Sequence, residues 1–257
     1  MLELDKIYNI NCIDGMKQLD DNSIDLIVTD PPFNISQKDL QLKRNNMKSG
    51  MFKRNSDIKL DFGKWDLFDE KDYKKFTEKW FKECSRILKI DKWFFSFFSK
   101  ERVGYFTDPL NGLFNKYGLK ARTIITWHKT NPVPSFRKRN FLSSCEFIVV
   151  GSKGSSKVAN FLFQKEMHNF FESPNASIYK KTNHPTEKPI DLIKWIIEIG
   201  SNENDVVFDP FLGSGTTAIV CKKFNRHFIG FEVNKKYYDI SLKRLLNVPE
   251  RLDTWIT

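Results

Sequence analysis

Seven short apolar runs, each bounded by turn-forming residues, recur along the chain and alternate with segments of helical period. The runs are Ile7–Ile10, Ile24–Thr29, Trp93–Phe98, Thr123–Trp127, Phe147–Val150, Val206–Phe208 and Phe228–Phe231. Helical spacing belongs to Lys71–Leu88, Pro189–Ile199, Thr216–Phe224 and Lys235–Leu245. Strands separated by helices of this length pair through crossovers rather than tight hairpins, so the alternation predicts an α/β fold. The expected sheet is seven-stranded and mostly parallel, with helices on both faces. At 257 residues the chain suffices for one such domain, 1–257, with a sizeable core.

Two stretches interrupt the alternation. Residues 36–65 are polar and basic, with eight Lys/Arg against three Asp. Residues 151–183 are rich in Gly, Ser, Asn and Lys and carry a Phe cluster at 161–171, expected to be core like the cluster at 94–98. Both are expected to leave the sheet as long excursions, which in compact domains usually carry function. The formal net charge of +10 makes a polyanionic partner plausible. Four scattered cysteines, Cys12, Cys84, Cys145 and Cys221, form no C-x-x-C pair, so free thiols and no metal are expected. Charges at Glu3, Asp5 and Lys6 break any signal-peptide core, and no run approaches the length of a membrane span. The expectation is a soluble cytoplasmic protein without a membrane partner.

After the run IDLIVT comes Asp30-Pro31-Pro32-Phe33, at the carboxyl end of a buried strand, where doubly wound sheets bind ligands. The prolines fix φ, so the Asp30 carboxylate and the Pro31 carbonyl can be held in one direction with the Phe33 ring beside them. Such a set can grip a planar ring bearing NH2. The lone pair of an exocyclic amino group is conjugated into the ring, and two acceptors on its hydrogens draw the nitrogen toward sp3 geometry and free that pair. Phe33 then offers a stacking face for a base turned out of a duplex. A plain strand followed by an Asp-Pro turn is the alternative for the tetrapeptide taken alone.

Residues 206–220, VVFDPFLGSGTTAIV, read as a strand, then Asp209, then Gly213-Ser214-Gly215-Thr216-Thr217 opening a helix. Glycines permit φ > 0 and close backbone approach, and a helix N-terminus favours a carboxylate. The third glycine of a dinucleotide fingerprint is missing, which suggests a ligand smaller than NAD. The next run, FIGFEV, ends at Glu232, about where βαβ geometry expects a ribose-binding acid.

These residues resemble the β class of S-adenosylmethionine-dependent DNA amino-methyltransferases of restriction-modification systems. The likeness rests on DPPF at 30–33, WHKTNPVPSFRKRNF at 127–141 followed by EFIVVGSKG, HPTEKP at 184–189, and FDPFLGSGTT at 208–217 with FEVNKKYYDISLKRL behind it. The catalytic tetrapeptide precedes the cofactor loop, the circularly permuted order of that class, which favours DNA over rRNA or protein as substrate. The resemblance implies a Rossmann-like methyltransferase fold, S-adenosylmethionine as cofactor and methyl transfer to adenine N6, with cytosine N4 as the alternative. An acidic first residue in the tetrapeptide is typical of adenine enzymes in the family, and Ser of cytosine-N4 enzymes. Asp30, Pro31, Pro32 and Phe33 match the catalytic motif, Asp30 counting also among the cofactor contacts and Phe33 replacing the commoner Tyr. Asp209, Pro210, Phe211, Gly213, Ser214, Gly215, Thr216 and Thr217 match the loop that cradles the methionine moiety. Glu232, with Val233, matches the acid that binds both ribose hydroxyls. Asn11 and Cys12 match the segment touching the cofactor adenine, with Asn11 where Asp is usual. Its side-chain carbonyl can still accept from an adenine amino group. Thr186 and Lys188 match a segment beside the methionine end, a helix start at Pro189 being the alternative.

Aromatics and cations mix in WHKTNPVPSFRKRNF, so Lys129, Asn131, Arg137 and Arg139 are candidate DNA contacts, as are Lys43, Arg44, Lys53 and Arg54 in the basic excursion. A solvated basic loop is the alternative. The resemblance further implies DNA, a cognate restriction endonuclease and a second copy of the chain as partners. C5-cytosine chemistry needs a thiolate, typically after a proline, and none of the four cysteines follows one. An NAD-dependent enzyme would explain the glycine loop and Glu232 but leaves DPPF and the basic excess unexplained, and a non-enzymatic DNA-binding protein is the alternative that would explain the charge.

Overall fold

A computed structural model describes residues 2–33, 69–132, 141–160, 163–164, 167–175 and 187–248. Eight strands form one sheet: β1 (Lys6–Tyr8), β2 (Ile24–Thr29), β3 (Leu88–Phe98), β4 (Lys120–Lys129), β5 (Cys145–Lys153), β6 (Phe170–Ser173), β7 (Val206–Asp209) and β8 (His227–Phe231), in the order β1-β8-β7-β2-β3-β5-β4-β6. Neighbours from β1 to β3 are parallel, β5 runs against both β3 and β4, and β6 is parallel to β4. Only β5 is reversed, so the mostly parallel sheet holds. The expected count of seven is one short, because β6 lies in the excursion at 151–183. Its FFES sequence is only four residues long and pairs on one side alone, along β4, so no sustained apolar run announces it.

β2 sits between β7 and β3, and all six of its residues are buried, as a parallel strand covered on both faces requires. The pleat sends alternate side chains to opposite faces, which builds two cores. Ile27, Phe94 and Phe98 enter one; Leu26, Val28, Phe95 and Phe97 enter the other. The first core is covered by α1 (Cys12–Met16), α2 (Glu70–Ile87), α3 (Val103–Thr107) and α4 (Leu113–Lys116). Asp69 caps α2 by accepting from the Asp72 N–H at 2.8 Å, and Tyr73, Thr77, Trp80, Phe81, Cys84 and Ile87 form the helix's buried stripe. The second core is covered by α5 (Ile190–Gly200), α6 (Thr216–Lys223) and α7 (Lys235–Leu246), chiefly through Leu192, Ile193, Ile196 and Ile197. The Phe cluster at 94–98 is core, as expected. The one at 161–171 is core only in part: Phe171 packs against the second core, its ring 5.3 Å from that of Trp195, whereas Phe163 and Phe170 are 59% and 52% exposed and Phe161 lies outside the described residues. β6 is an edge strand, so its alternate aromatics face opposite sides and only one side is covered by α5.

Candidate active site

The parallel strands end on one rim, and the functional motifs lie there. β2 runs directly into Asp30, and its neighbour β7 ends at Asp209, with Ile27 paired to Phe208. β8, on the other side of β7, ends one residue before Glu232. Between these ends is a cavity of about 560 Å³ whose wall includes Asn11, Cys12, all of Asp30–Phe33, Glu146, Lys188, Asp209–Ser214, Thr216, Thr217, Glu232 and Val233. The tetrapeptide Asp30–Phe33 and the glycine loop, distant in sequence, thus line one space.

The loop after β7 is built around Asp209. Its Oδ1 accepts from the Phe211 N–H at 3.0 Å and its Oδ2 from the Thr217 hydroxyl at 2.7 Å, which closes residues 209–217 into a compact turn. Gly213 and Gly215 have φ of 56° and 87°. At Gly215 a Cβ would also stand 2.9 Å from that of Ser241, so a side chain there meets both backbone strain and α7. Glu232 accepts from the Gly213 N–H at 2.9 Å with one oxygen and from the Asn234 N–H at 2.7 Å with the other. Arg244 of α7 clasps the loop from outside, donating to the Ser214 carbonyl and hydroxyl at 2.7 and 2.8 Å and to Glu187 at 2.6 Å. Sequence reading missed Arg244, which lies one turn from the end of a helix whose charged residues otherwise read as a solvated face.

At the tetrapeptide, Asp30 Oδ2 accepts from the Lys188 ammonium at 2.8 Å. Asp30 Oδ1 is buried and has no hydrogen-bond partner among the described residues. Lys188 also stands 3.3 Å from Glu146, whose other oxygen accepts from Lys129 at 3.2 Å. Burial pushes the Asp30 carboxyl above its ordinary range, against the pull of Lys188. Burial opposes the Lys188 charge too, but Asp30 and Glu146 outweigh it and hold its pKa above the usual lysine value. The Phe33 ring lies 6.4 Å from Phe98, with the Lys188 ammonium 5.8 Å from its centroid.

Several expectations are modified. Lys129, a candidate DNA contact, is buried and its ammonium is spent on Glu146, because β4 lies inside the sheet between β5 and β6. Asn131 is partly buried, and its side chain accepts from the Asn175 N–H at 2.6 Å, tying the excursion at 151–183 to the end of β4. The Asn11 carbonyl caps α1 through the Ile13 N–H at 2.9 Å, leaving one lone pair for a ligand. Lys188, matched by the resemblance to a segment beside the methionine end, donates to Asp30, and Pro189 next to it caps the start of α5. Lys43, Arg44, Lys53, Arg54, Arg137, Arg139 and Thr186 lie outside the described residues.

A family profile described as DNA methylase matches residues 24–243. The chain belongs to this family. It is 32% identical to the type II methyltransferase M.HinfI of Haemophilus influenzae over 95% of this chain and 69% of that one. Identity is also 32% to M2.MboI of Moraxella bovis, over 93% of this chain and 86% of the relative. Among solved structures, the M1.HpyAVI-SAM complex superposes with a TM-score of 0.66 at 27% identity, covering 93% of this chain and 99% of the other. The PvuII cytosine-N4-specific methyltransferase, at 18% identity and a TM-score of 0.66, shares the fold. This chain is therefore a DNA methyltransferase with a Rossmann-like α/β sheet. Among the described residues no helix is long and apolar enough to cross a membrane.

One property of the methylase pocket is measurable without substrate. Burial raises the Asp209 carboxyl to about 7, against the Thr217 hydroxyl and the Phe211 N–H, and the nearby Asp30 charge adds to the rise. The folded protein therefore keeps a proton that the unfolded chain releases above the ordinary value of 3.8. Stability from this group is present below that value and is lost as pH rises from about 4 to about 7. Asp30 and Glu232 are shifted in the same sense, so the comparison is with Asp209→Asn. In chemical unfolding of the ligand-free protein, the variant is expected to gain on the wild type by a few kcal/mol across that window, and a difference constant with pH counts against a protonated Asp209.

Proposed function

We propose that this methyltransferase transfers a methyl group from S-adenosylmethionine to adenine N6 in DNA, by direct attack of a base turned out of the helix. The observation that carries the reading is Asp30 Oδ1, a buried acceptor without a partner among the described residues, on the wall of the cavity shared with the glycine loop. A buried acceptor left empty costs free energy, and an incoming N–H satisfies it.

The residues present suit the cofactor. About 560 Å³ lies between the tetrapeptide and Glu232, within the ordinary range for small-ligand sites, and the positive φ of Gly213 and Gly215 brings backbone close to that space. Glu232 is assigned to the ribose hydroxyls, residues 209–217 to the methionine end, and Asn11 with Cys12 to the adenine. Bound S-adenosylmethionine supplies an electrophilic methyl on a positively charged sulfur. Asp30 Oδ1 accepts one hydrogen of the target amino group and the Pro31 carbonyl the other, while Phe33 stacks on the base. Bound there, S-adenosylmethionine would supply the methyl to the freed amino lone pair, its sulfur keeping the pair of the former S–methyl bond, and Asp30 would take the proton that the methylated nitrogen sheds. No covalent link to the protein is needed.

The acidic first residue of the tetrapeptide supports adenine over cytosine. The basic residues of 36–65, with Arg137 and Arg139, are assigned to the DNA backbone, and the excursions at 36–65 and 151–183 to target recognition. On the same reading the chain is one cytoplasmic domain, the modification half of a restriction-modification system, with a cognate endonuclease and a second copy as partners. Sequencing of modified bases in DNA from cells expressing the chain tests the substrate. N6-methyladenine at a short fixed site is expected; N4-methylcytosine overturns the adenine assignment, and unmodified DNA overturns the whole reading.

A further inference from the structure

Four charges of alternating sign run through the wall of the pocket. Lys129 from β4, Glu146 from β5, Lys188 from the segment ahead of α5 and Asp30 after β2 stand 3.2, 3.3 and 2.8 Å apart in turn. Each ammonium and carboxylate in this row is wholly or largely withdrawn from water, so its ionisation depends on its neighbours. The other titratable group coupled to Asp30 is Asp209 at the end of β7, whose carboxyl burial raises to about 7. Lys188 carries three donors, and its ammonium also lies 4.7 Å from the centroid of the Phe97 ring.

A lone lysine beside an aspartate is free to straddle both carboxylate oxygens. Here the ammonium is shared, with Glu146 Oε2 as a second anionic neighbour at 3.3 Å beside Asp30 Oδ2 at 2.8 Å. Lys188 engages Oδ2 and leaves Oδ1 without a partner among the described residues. We propose that Glu146 and Lys188 are positioning residues for Asp30: the ammonium, held between the two carboxylates, keeps Asp30 anionic and turned so that Oδ1 alone meets the target amino group. This rests on the reading of Asp30 as acceptor for that group. It gives Lys188 work on the catalytic carboxylate and gives Glu146 a role that no motif assigned.

The two residues act on Asp30 with opposite sign. Lys188 lowers the Asp30 pKa and Glu146 raises it, on top of the rise caused by burial. Lys188→Met leaves two carboxylates facing each other, so the Asp30 titration moves to higher pH. Glu146→Gln removes a negative charge and lets the ammonium capture both oxygens of Asp30, so the titration moves to lower pH while the acceptor is lost. Packing defects alone do not produce opposite shifts.

The test follows the Asp30 carboxyl by 13C NMR in full-length protein labelled at aspartate, its signal assigned with Asp30→Asn. Lys188→Met is expected to raise the Asp30 midpoint by about one unit or more and Glu146→Gln to lower it, with Lys188→Arg restoring the wild-type position. Single-turnover transfer of tritiated methyl to DNA is expected to fall at least about tenfold in both of the first two variants, with S-adenosylmethionine affinity within about threefold of wild type. An unmoved midpoint in both variants overturns the proposal. So does a tenfold loss of cofactor affinity in Lys188→Met with the midpoint unchanged, which returns Lys188 to the methionine end. Opposite shifts in a wild-type protein that methylates no DNA sustain the charge pair and overturn the function assigned to it. Should the single variants fail to fold, the double variant removes one charge of each sign, and transfer at the wild-type rate in it overturns the proposal.

Discussion

Asp30→Ala is expected to slow methyl transfer by about a thousandfold or more while leaving S-adenosylmethionine affinity within about threefold. The asymmetry follows from where the carboxylate points. Oδ2 is taken by Lys188 and the buried Oδ1 has no hydrogen-bond partner among the described residues, so truncation removes the acceptor assigned to the amino group. The cofactor's assigned contacts, through Glu232 and the loop at 209–217, are untouched. Removing a preorganised group of this kind commonly costs about two to three powers of ten. Asp30→Asn keeps the shape and one carbonyl acceptor but not the charge, so it should lose less, about a hundredfold. Both variants leave Lys188 paired with Glu146 alone, and a lower melting temperature is expected with them. Single-turnover transfer to DNA, beside calorimetric titration of the cofactor, separates these effects. Turnover within tenfold of wild type in Asp30→Ala would falsify the role given to this carboxylate.

The parts of this site that were legible in the sequence are those that local chemistry dictates. Two prolines after an acid, and two glycines before a helix, constrain backbone whatever lies around them, and both motifs fall on the cavity wall. The long helices were legible for the same reason: α2 and α5 carry apolar stripes at helical spacing. Strand direction is a different matter. An apolar run such as FIVV reads identically in either sense, and β5 proves to be the reversed strand. Its first residues therefore lie at the rim where the parallel strands end, with Phe147 paired to Phe98 and Glu146 to Trp127. Had β5 been parallel, Glu146 would have sat at the opposite rim. An acid opening an apolar run was the available signal, and only the antiparallel register turns it into a pocket residue. Lys129 misled in the complementary way. Placed beside an aromatic and a histidine it looked like a surface cation, whereas pairing of β4 on both sides buries it against that same Glu146.

Glu232→Ala should reduce S-adenosylmethionine affinity by one to two powers of ten, the larger of the losses expected for any single residue at the cofactor end. Two effects add. A carboxylate accepting from both ribose hydroxyls makes charged hydrogen bonds, each contributing roughly 1.5–3 kcal/mol. The same carboxylate also shapes the glycine loop, since its oxygens accept from the Gly213 and Asn234 N–H groups at 2.9 and 2.7 Å. Truncation leaves both donors without that acceptor and frees Gly213, whose φ of 56° lies in the left-handed region. Glu232→Gln discriminates between the two effects: its carbonyl can still hold one loop N–H, but it can no longer accept at both oxygens. The expected order of affinity is wild type, then Gln, then Ala. Burial raises the Glu232 carboxyl, opposed by those two N–H donors. Protonation converts one acceptor into a donor, so wild-type affinity should weaken as pH falls through its raised value, and the Gln variant should lack that step. Isothermal titration from pH 8 down to about 5 reads both the order and the step. Equal affinity in all three proteins at neutral pH removes Glu232 from the cofactor site, and with it the assignment of this rim to S-adenosylmethionine.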